Sequence, residues 1–238
     1  MSVHNVKAIV FDTFGTISDW RSSIAREAQI VAKSKGLNDF DGDAFARAWR
    51  AGYRPGMAPV ISGEREWTPI DTIHRERLDE ILPQFGLDML DEAERDRLNR
   101  AWHRINPWPD SIPGLLRLKK KFLIAPLSNG SLTLLASMAK RAGIPWDFVF
   151  SSDMHKAYKR DPRVYQNAIA LLGMAPGEVM MGAAHNDDLE AARAEGMRTA
   201  YINRPTEYGP DQVKDFEATS DWDIIVDDVE GIADVMGC

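Results

Sequence analysis

Cysteine is almost missing from this chain. Cys238, the last of 238 residues, is its only one. An intrachain disulfide and a thiolate-rich metal site are therefore excluded, and a reducing, cytoplasmic setting is expected. No apolar run approaches the ~18 residues needed to span a bilayer, and Met1 to Lys7 contains no apolar signal-peptide segment, so neither membrane insertion nor export is expected. Long blocks of like charge are also lacking. With 29 Lys and Arg against 36 Asp and Glu, the net charge is -7, and nucleic acid is not an expected partner. A small anion remains open as a ligand, because a local pocket of basic side chains and backbone N–H groups binds one whatever the overall charge. There is no internal repeat or low-complexity tract. The 44% hydrophobic and 27% charged content is that of an ordinary folded protein.

What is present is a series of short apolar runs rich in β-branched and aromatic residues: 8–11, 122–125, 148–150, 179–182, 199–202 and 224–226. Most are separated by helix-like segments that stop at glycine: 132–141 before Gly143, 163–172 before Gly173, and 189–195 before Gly196. This alternation predicts an α/β fold, a Rossmann-like doubly wound parallel sheet. Between Trp20 and Trp108 the pattern turns helical, over 22–32, 43–53 and 69–82. The expected division is a core of 1–18 and 109–238 interrupted by a helical insertion of 19–108, with the prolines of Asn106-Pro107-Trp108-Pro109 at the return. Another helix is expected at Pro113-Gly114.

In such a sheet the carboxyl ends of the strands share one edge, where ligands bind. Polar residues follow four of the runs: Asp12, Ser128-Asn129, the loop from Asp153 to Lys159, and the segment from His185 to Asp188. They are expected to converge. Taken singly, each has a plainer reading: Asp12 as a turn residue, Lys159 as a solvated lysine, and Ser128-Asn129 as a helix cap before Leu132.

The motifs Phe11-Asp12-Thr13-Phe14-Gly15-Thr16, Leu127-Ser128-Asn129-Gly130, Lys159-Arg160-Asp161-Pro162-Arg163-Val164-Tyr165 and the segment at Asp188 occur in that order. Together they resemble the haloacid dehalogenase-like superfamily, and the helical insertion resembles its cap. Most of that superfamily are magnesium-dependent phosphatases with a second Asp two residues after the nucleophile and another four residues before the position of Asp188. Here those positions are Phe14 and Ala184. Both departures, and the Lys-x-Asp-Pro-Arg-Val-Tyr stretch, resemble the (S)-2-haloacid dehalogenases, which attack carbon and use no metal or other cofactor.

That resemblance implies Asp12 as the nucleophile, forming an ester at C2 with inversion that water then hydrolyses. It implies Lys159 as the cation that keeps Asp12 ionised and aimed, and Thr16 as support for the nucleophile turn. Ser128, with backbone N–H groups around Thr13, Phe14 and Asn129, would hold the substrate carboxylate. Arg50 would face the departing halide, with Arg54 as its competitor and Asn129 as a helper. Tyr165 and Asp188 would complete the pocket, Asp188 also holding Lys159 or the hydrolytic water. A small haloacid and water are the implied partners, and a homodimer is left open.

The chain departs from that branch at Ala183 and His185, where its pattern has Ser and Asn, and at Asp187, where it has an aromatic residue. Small substrates are expected. His185, with an ordinary pKa near ~6.5, is expected to act as general base on the ester, or else to cap the following helix. Tyr165 has a core reading beside its pocket reading, and Arg50 a solvated one. His4, His74, His103 and His155 are expected at the surface, and Trp49, Trp67, Trp102 and Trp108 in packing. Two other functions stay in view: a metal-dependent phosphatase, and a non-catalytic interaction protein on the same fold.

Overall fold

The computed structural model describes residues 3–210 and 212–238. In chain order it contains β1 (Ala8–Phe11), β2 (Ser18–Asp19), α1 (Trp20–Ser34), α2 (Gly42–Ala51), α3 (Tyr53–Ser62), α4 (Ile70–Ile81), α5 (Glu92–Asn99), β3 (Asn106–Pro107), α6 (Ser111–Leu118) and β4 (Leu123–Ser128). It continues with α7 (Leu132–Ala142), β5 (Phe150–Ser151), α8 (Ser152–His155), α9 (Pro162–Leu172), β6 (Val179–Ala183), α10 (Asn186–Ala194), β7 (Arg198–Ile202), β8 (Ile224–Val226) and α11 (Val229–Val235).

All four residues of β1 are buried, the condition of a strand covered by helices on both faces. Ile9 and Phe11 point into one apolar cluster and Val10 into the other, the period of two that a strand imposes. The six-stranded sheet has the order β5-β4-β1-β6-β7-β8, with every pairing parallel. Chain order reverses at β1, between β4 on one side and β6 on the other, so the crevice beyond its carboxyl end is the expected ligand site. Phe11 lies opposite Gly182 across the β1–β6 ladder. A Cβ at Gly182 would come within 2.8 Å of the Phe11 ring, so glycine there lets the ring cross the neighbouring strand.

The chain leaves the sheet through β2 and returns through β3, which pair antiparallel at Ser18–Pro107 and Asp19–Asn106. Between them, α1 to α5 pack on one another around Trp49, Phe45 and Leu78. Among the described residues, no helix is long and apolar enough to cross a membrane.

Several local expectations need correction. The helix expected over 43–53 is two helices, broken at Gly52 where the Arg77 side chain packs within 2.3 Å of where a Cβ would stand. Helix α5 was not expected at all. The second strand starts one residue later and runs on to Ser128, and the run at 148–150 contributes only Phe150 to a strand. His74 and His155 are buried, contrary to a surface placement, and His103 is half-buried against Asp71. The His74 ring stacks on Trp102 at 4.3 Å. Burial, with the Arg50 and His103 charges opposing protonation, pushes it down to about 3, so it packs as a neutral aromatic.

Candidate active site

Asp12 is the first residue beyond β1, on the edge where β4, β5 and β6 also end. It opens into a cavity of about 550 Å³ whose wall includes Phe14, Arg50, Asn129, Lys159 and His185. Three donors surround its carboxylate. Lys159 Nζ lies 3.2 Å from Oδ1, while Thr16 Oγ1 donates to Oδ2 at 2.9 Å and His185 Nδ1 lies 3.2 Å from the same oxygen. Thr16 is itself fixed, because its hydroxyl accepts the Ala184 N–H at 2.9 Å and so ties the turn after β1 to the end of β6. Burial alone would raise the Asp12 pKa. The Lys159 charge, the His185 contact and the Thr16 hydroxyl outweigh it and hold the carboxyl well below its ordinary range.

Lys159 is 4% exposed and bridges two carboxylates, with Asp188 Oδ2 at 2.7 Å as the closer partner. Asp188, in the first turn of α10, also accepts the Tyr165 hydroxyl at 2.6 Å on its other oxygen. The Lys159 backbone is held by its N–H to Asn129 Oδ1 at 2.8 Å. Asp161 caps α9 with Pro162 in its first turn, so the lysine is carried at the foot of a well-started helix.

His185 precedes α10 but makes no side-chain cap bond. Its ring is clamped between two carboxylates, Nδ1 on Asp12 and Nε2 on Glu207 Oε2 at 2.9 Å. Burial by itself disfavours the charged ring, yet Glu207 and Asp12 raise its pKa well above the ordinary value. Two flanking carboxylates favour the protonated ring over the free base expected near ~6.5. Glu207 was not anticipated from sequence. It is 1% exposed, and its Oε1 accepts the Trp20 indole N–H at 2.9 Å. A side chain at residue 15 would collide with it, a Cβ there lying 2.1 Å from Oε1, and Gly15 also has a φ of +91°. The glycine of the first motif thus serves both the turn and the space for a buried carboxylate.

The structure separates the two candidate arginines. Arg54 pairs with Asp187 at 2.7 Å on the rim, and Arg160 pairs with the same carboxylate. Arg50 reaches inward, its guanidinium 3.9 Å from the Tyr53 ring centre, 5.3 Å from Trp20 and 5.9 Å from Phe14. Among the described residues its buried Nη1 has no hydrogen-bond partner. A cation caged by aromatic faces with a spare donor is well suited to an anion.

The side chains of three expected pocket residues do not line the cavity. Ser128 is buried beneath it, its hydroxyl accepting the Gly130 N–H at 3.1 Å. Tyr165 is fully buried and serves Asp188 rather than the pocket. The Thr13 side chain is buried as well, and its carbonyl accepts from Ile17 and Ser18. The plainer core reading of Tyr165 therefore applies to its ring. Asn129 does line the cavity.

The donor set does not fit a hard divalent cation, which calls for several oxygens. Phe14 and Ala184 offer none from their side chains, and both oxygens of Asp12 already face cationic groups. Among the described residues no cluster of three His, Cys, Asp or Glu side chains is arranged to hold a metal.

A Rossmann-like sheet with a lysine-held carboxylate at its switch point and a helical insertion above it defines the class. The family model for haloacid dehalogenase-like hydrolases matches residues 6–196, and the chain belongs to that family. It falls with the (S)-2-haloacid dehalogenases. It is similar to (S)-2-haloacid dehalogenase 4A of Burkholderia cepacia, 32% identical over 221 residues, with 87% of this chain and 88% of that one covered. Among solved structures, a defluorinating L-2-haloacid dehalogenase is 48% identical with a TM-score of 0.95, covering 98% of this chain and 96% of that one. Another L-2-haloacid dehalogenase is 42% identical with a TM-score of 0.94, covering 98% and 99%.

Proposed function

We propose that this protein hydrolyses small (S)-2-haloacids or haloacetates to 2-hydroxyacids through an Asp12 ester, with inversion at C2 and without a metal. The observation that carries this reading is the allocation of the Asp12 lone pairs. A carboxylate has about four lone-pair sites. Oδ2 spends two on Thr16 and His185, whereas Oδ1 spends one on Lys159 and keeps one for attack. Oδ1 approaches C2 opposite the halogen, the C–X electron pair leaves with the halide, and Arg50 receives it, assisted by Asn129. Halide needs no proton to leave, which suits a site with Phe14 where a phosphatase keeps its general acid. The peptide N–H groups of Thr13, Phe14 and Asn129 hold the substrate carboxylate, with Ser128 shaping the loop beneath. Residues 1–18 and 109–238 carry the nucleophile, and the insertion 19–108 supplies Arg50 and covers the site.

The test is halide release from a panel of (S)- and (R)-2-halopropionates and haloacetates in the presence of EDTA. Fluoroacetate belongs in the panel, given the defluorinating relative. Release from the (S) and unbranched substrates, unchanged by EDTA and giving the (R)-hydroxyacid, is expected. Release of phosphate from phosphate esters on adding magnesium, with no halide release, would place the protein among the phosphatases instead. Inertness toward every substrate would favour an interaction protein.

A further inference from the structure

We propose that Glu207 is a positioning residue that keeps His185 an imidazolium after Asp12 has been alkylated, so that His185 and Thr16 together form the oxyanion site for ester hydrolysis. The proposal rests on the covalent reading above and assigns the second half of the reaction. Once Oδ1 carries the alkyl group, Oδ2 is the ester carbonyl oxygen. The two groups already aimed at Oδ2 are the Thr16 hydroxyl at 2.9 Å and His185 Nδ1 at 3.2 Å. Water bonds to Cγ, the carbonyl electron pair moves onto Oδ2, and these donors meet the charge where it develops. Collapse re-forms the carbonyl and breaks the Cγ–Oδ1 bond, so Oδ1 leaves within the product. Of the two water protons, one ends on the 2-hydroxyacid oxygen and the other is released to solvent.

Alkylation removes the charge of Asp12, and an imidazolium left alone in a buried site would lose its proton. Glu207 prevents this. Its Oε2 stays 2.9 Å from Nε2, away from the reacting carbon, while Trp20 fixes its other oxygen and Gly15 leaves it room. The loop that carries it is anchored by Arg204, which pairs with Asp110 at 2.7 Å and donates to the Thr16 carbonyl at 3.0 Å. The other ionisable groups around His185 are Tyr208 on the same loop, Arg50 from α2, and Lys159 beyond Asp12. His185 has a raised pKa, so the protonated form is the working form below that value and is lost as the pH rises through it. Hydrolysis then holds steady through neutrality and fails on the alkaline side, the opposite slope from a histidine base.

The experiment follows ester decay on the whole enzyme by rapid quench and intact mass, with (S)-2-chloropropionate, from roughly pH 6 to 10. Wild type is expected to show a flat profile that falls at alkaline pH. Glu207→Gln is expected to accumulate ester, to hydrolyse it ~10- to 100-fold more slowly, and to move the alkaline fall toward acid by about one pH unit or more. ¹⁵N-histidine spectra of the wild type give a readout independent of any variant's folding: His185 should carry protons on both ring nitrogens at mildly alkaline pH. Ester decay that accelerates through neutrality, a neutral His185 in those spectra, or an unmoved pH midpoint in the folded variant overturns the proposal. Halide release with no ester at any time overturns the covalent reading and this proposal with it, a result distinct from a wrong pH slope.

Discussion

Asp12→Asn should release halide at least ~10⁴-fold more slowly than wild type, the scale on which covalent nucleophiles are lost. The amide keeps the shape of the side chain and a carbonyl oxygen for Thr16, but it has no anionic lone pair to displace a halide. Folding should survive. Lys159 retains Asp188 at 2.7 Å and His185 retains Glu207 at 2.9 Å, so neither buried cation is left without an anion. Halide release and thermal unfolding measured on the same preparation check both halves of this expectation. A well-folded variant that keeps even a few per cent of wild-type turnover would remove Asp12 from the chemistry.

Lys159→Met should have the other large effect, and here stability and rate fall together. The ammonium is the bridge between Asp12 and Asp188, both buried. Its loss leaves two buried carboxylates without the cation between them, a change expected to cost about 3–5 kcal/mol. Halide release should slow by roughly 10²- to 10³-fold, the usual loss when one preorganised charge is removed. The pH profile distinguishes this from simple unfolding. In wild type the Asp12 pKa is held low, so the nucleophile stays ionised far into the acid range. Without Lys159 that value rises, and the residual activity should fall away at a higher pH as acid is added. Urea unfolding gives the stability term, and halide release against pH gives the titration. A folded Lys159→Met with an unaltered acid limb would contradict the role assigned to the lysine.

The parallel sheet was legible because buried strands leave apolar runs, and the residues at their ends were legible because the fold puts those ends on one edge. Asp12, Lys159 and Asp188 were found by that rule. Glu207 was not, although the same rule covers it: it stands five residues past the end of β7. Its loop has no hydrophobic period, and a glutamate's burial leaves no mark in sequence. Helix α5 was missed for a different reason. Its eight residues are nearly all polar, so periodicity is silent, yet Asp91 and Glu94 form a capping box that announces its start. The split between α2 and α3 falls at Gly52, with Pro55, which has no N–H to continue the first helix, in the next turn, and Arg77 packs against that glycine. His74 and His155 escaped because one histidine on an apolar face has no spacing to read. Ser128 and Tyr165 lie about one side-chain layer beneath the cavity wall: which side chain of a strand or helix faces the cavity depends on packing depth, which sequence does not show.

The central claim is that Asp12 itself becomes the ester, and oxygen transfer tests it most directly. One turnover with enzyme in excess is run in H₂¹⁸O, and the product and the peptide bearing Asp12 are weighed by mass spectrometry. The account predicts unlabelled 2-hydroxyacid and one ¹⁸O in the Asp12 carboxylate, because the product carries away Oδ1 and water replaces it. Labelled product from unlabelled enzyme would mean that water attacks C2 directly, and Asp12 would then be no nucleophile.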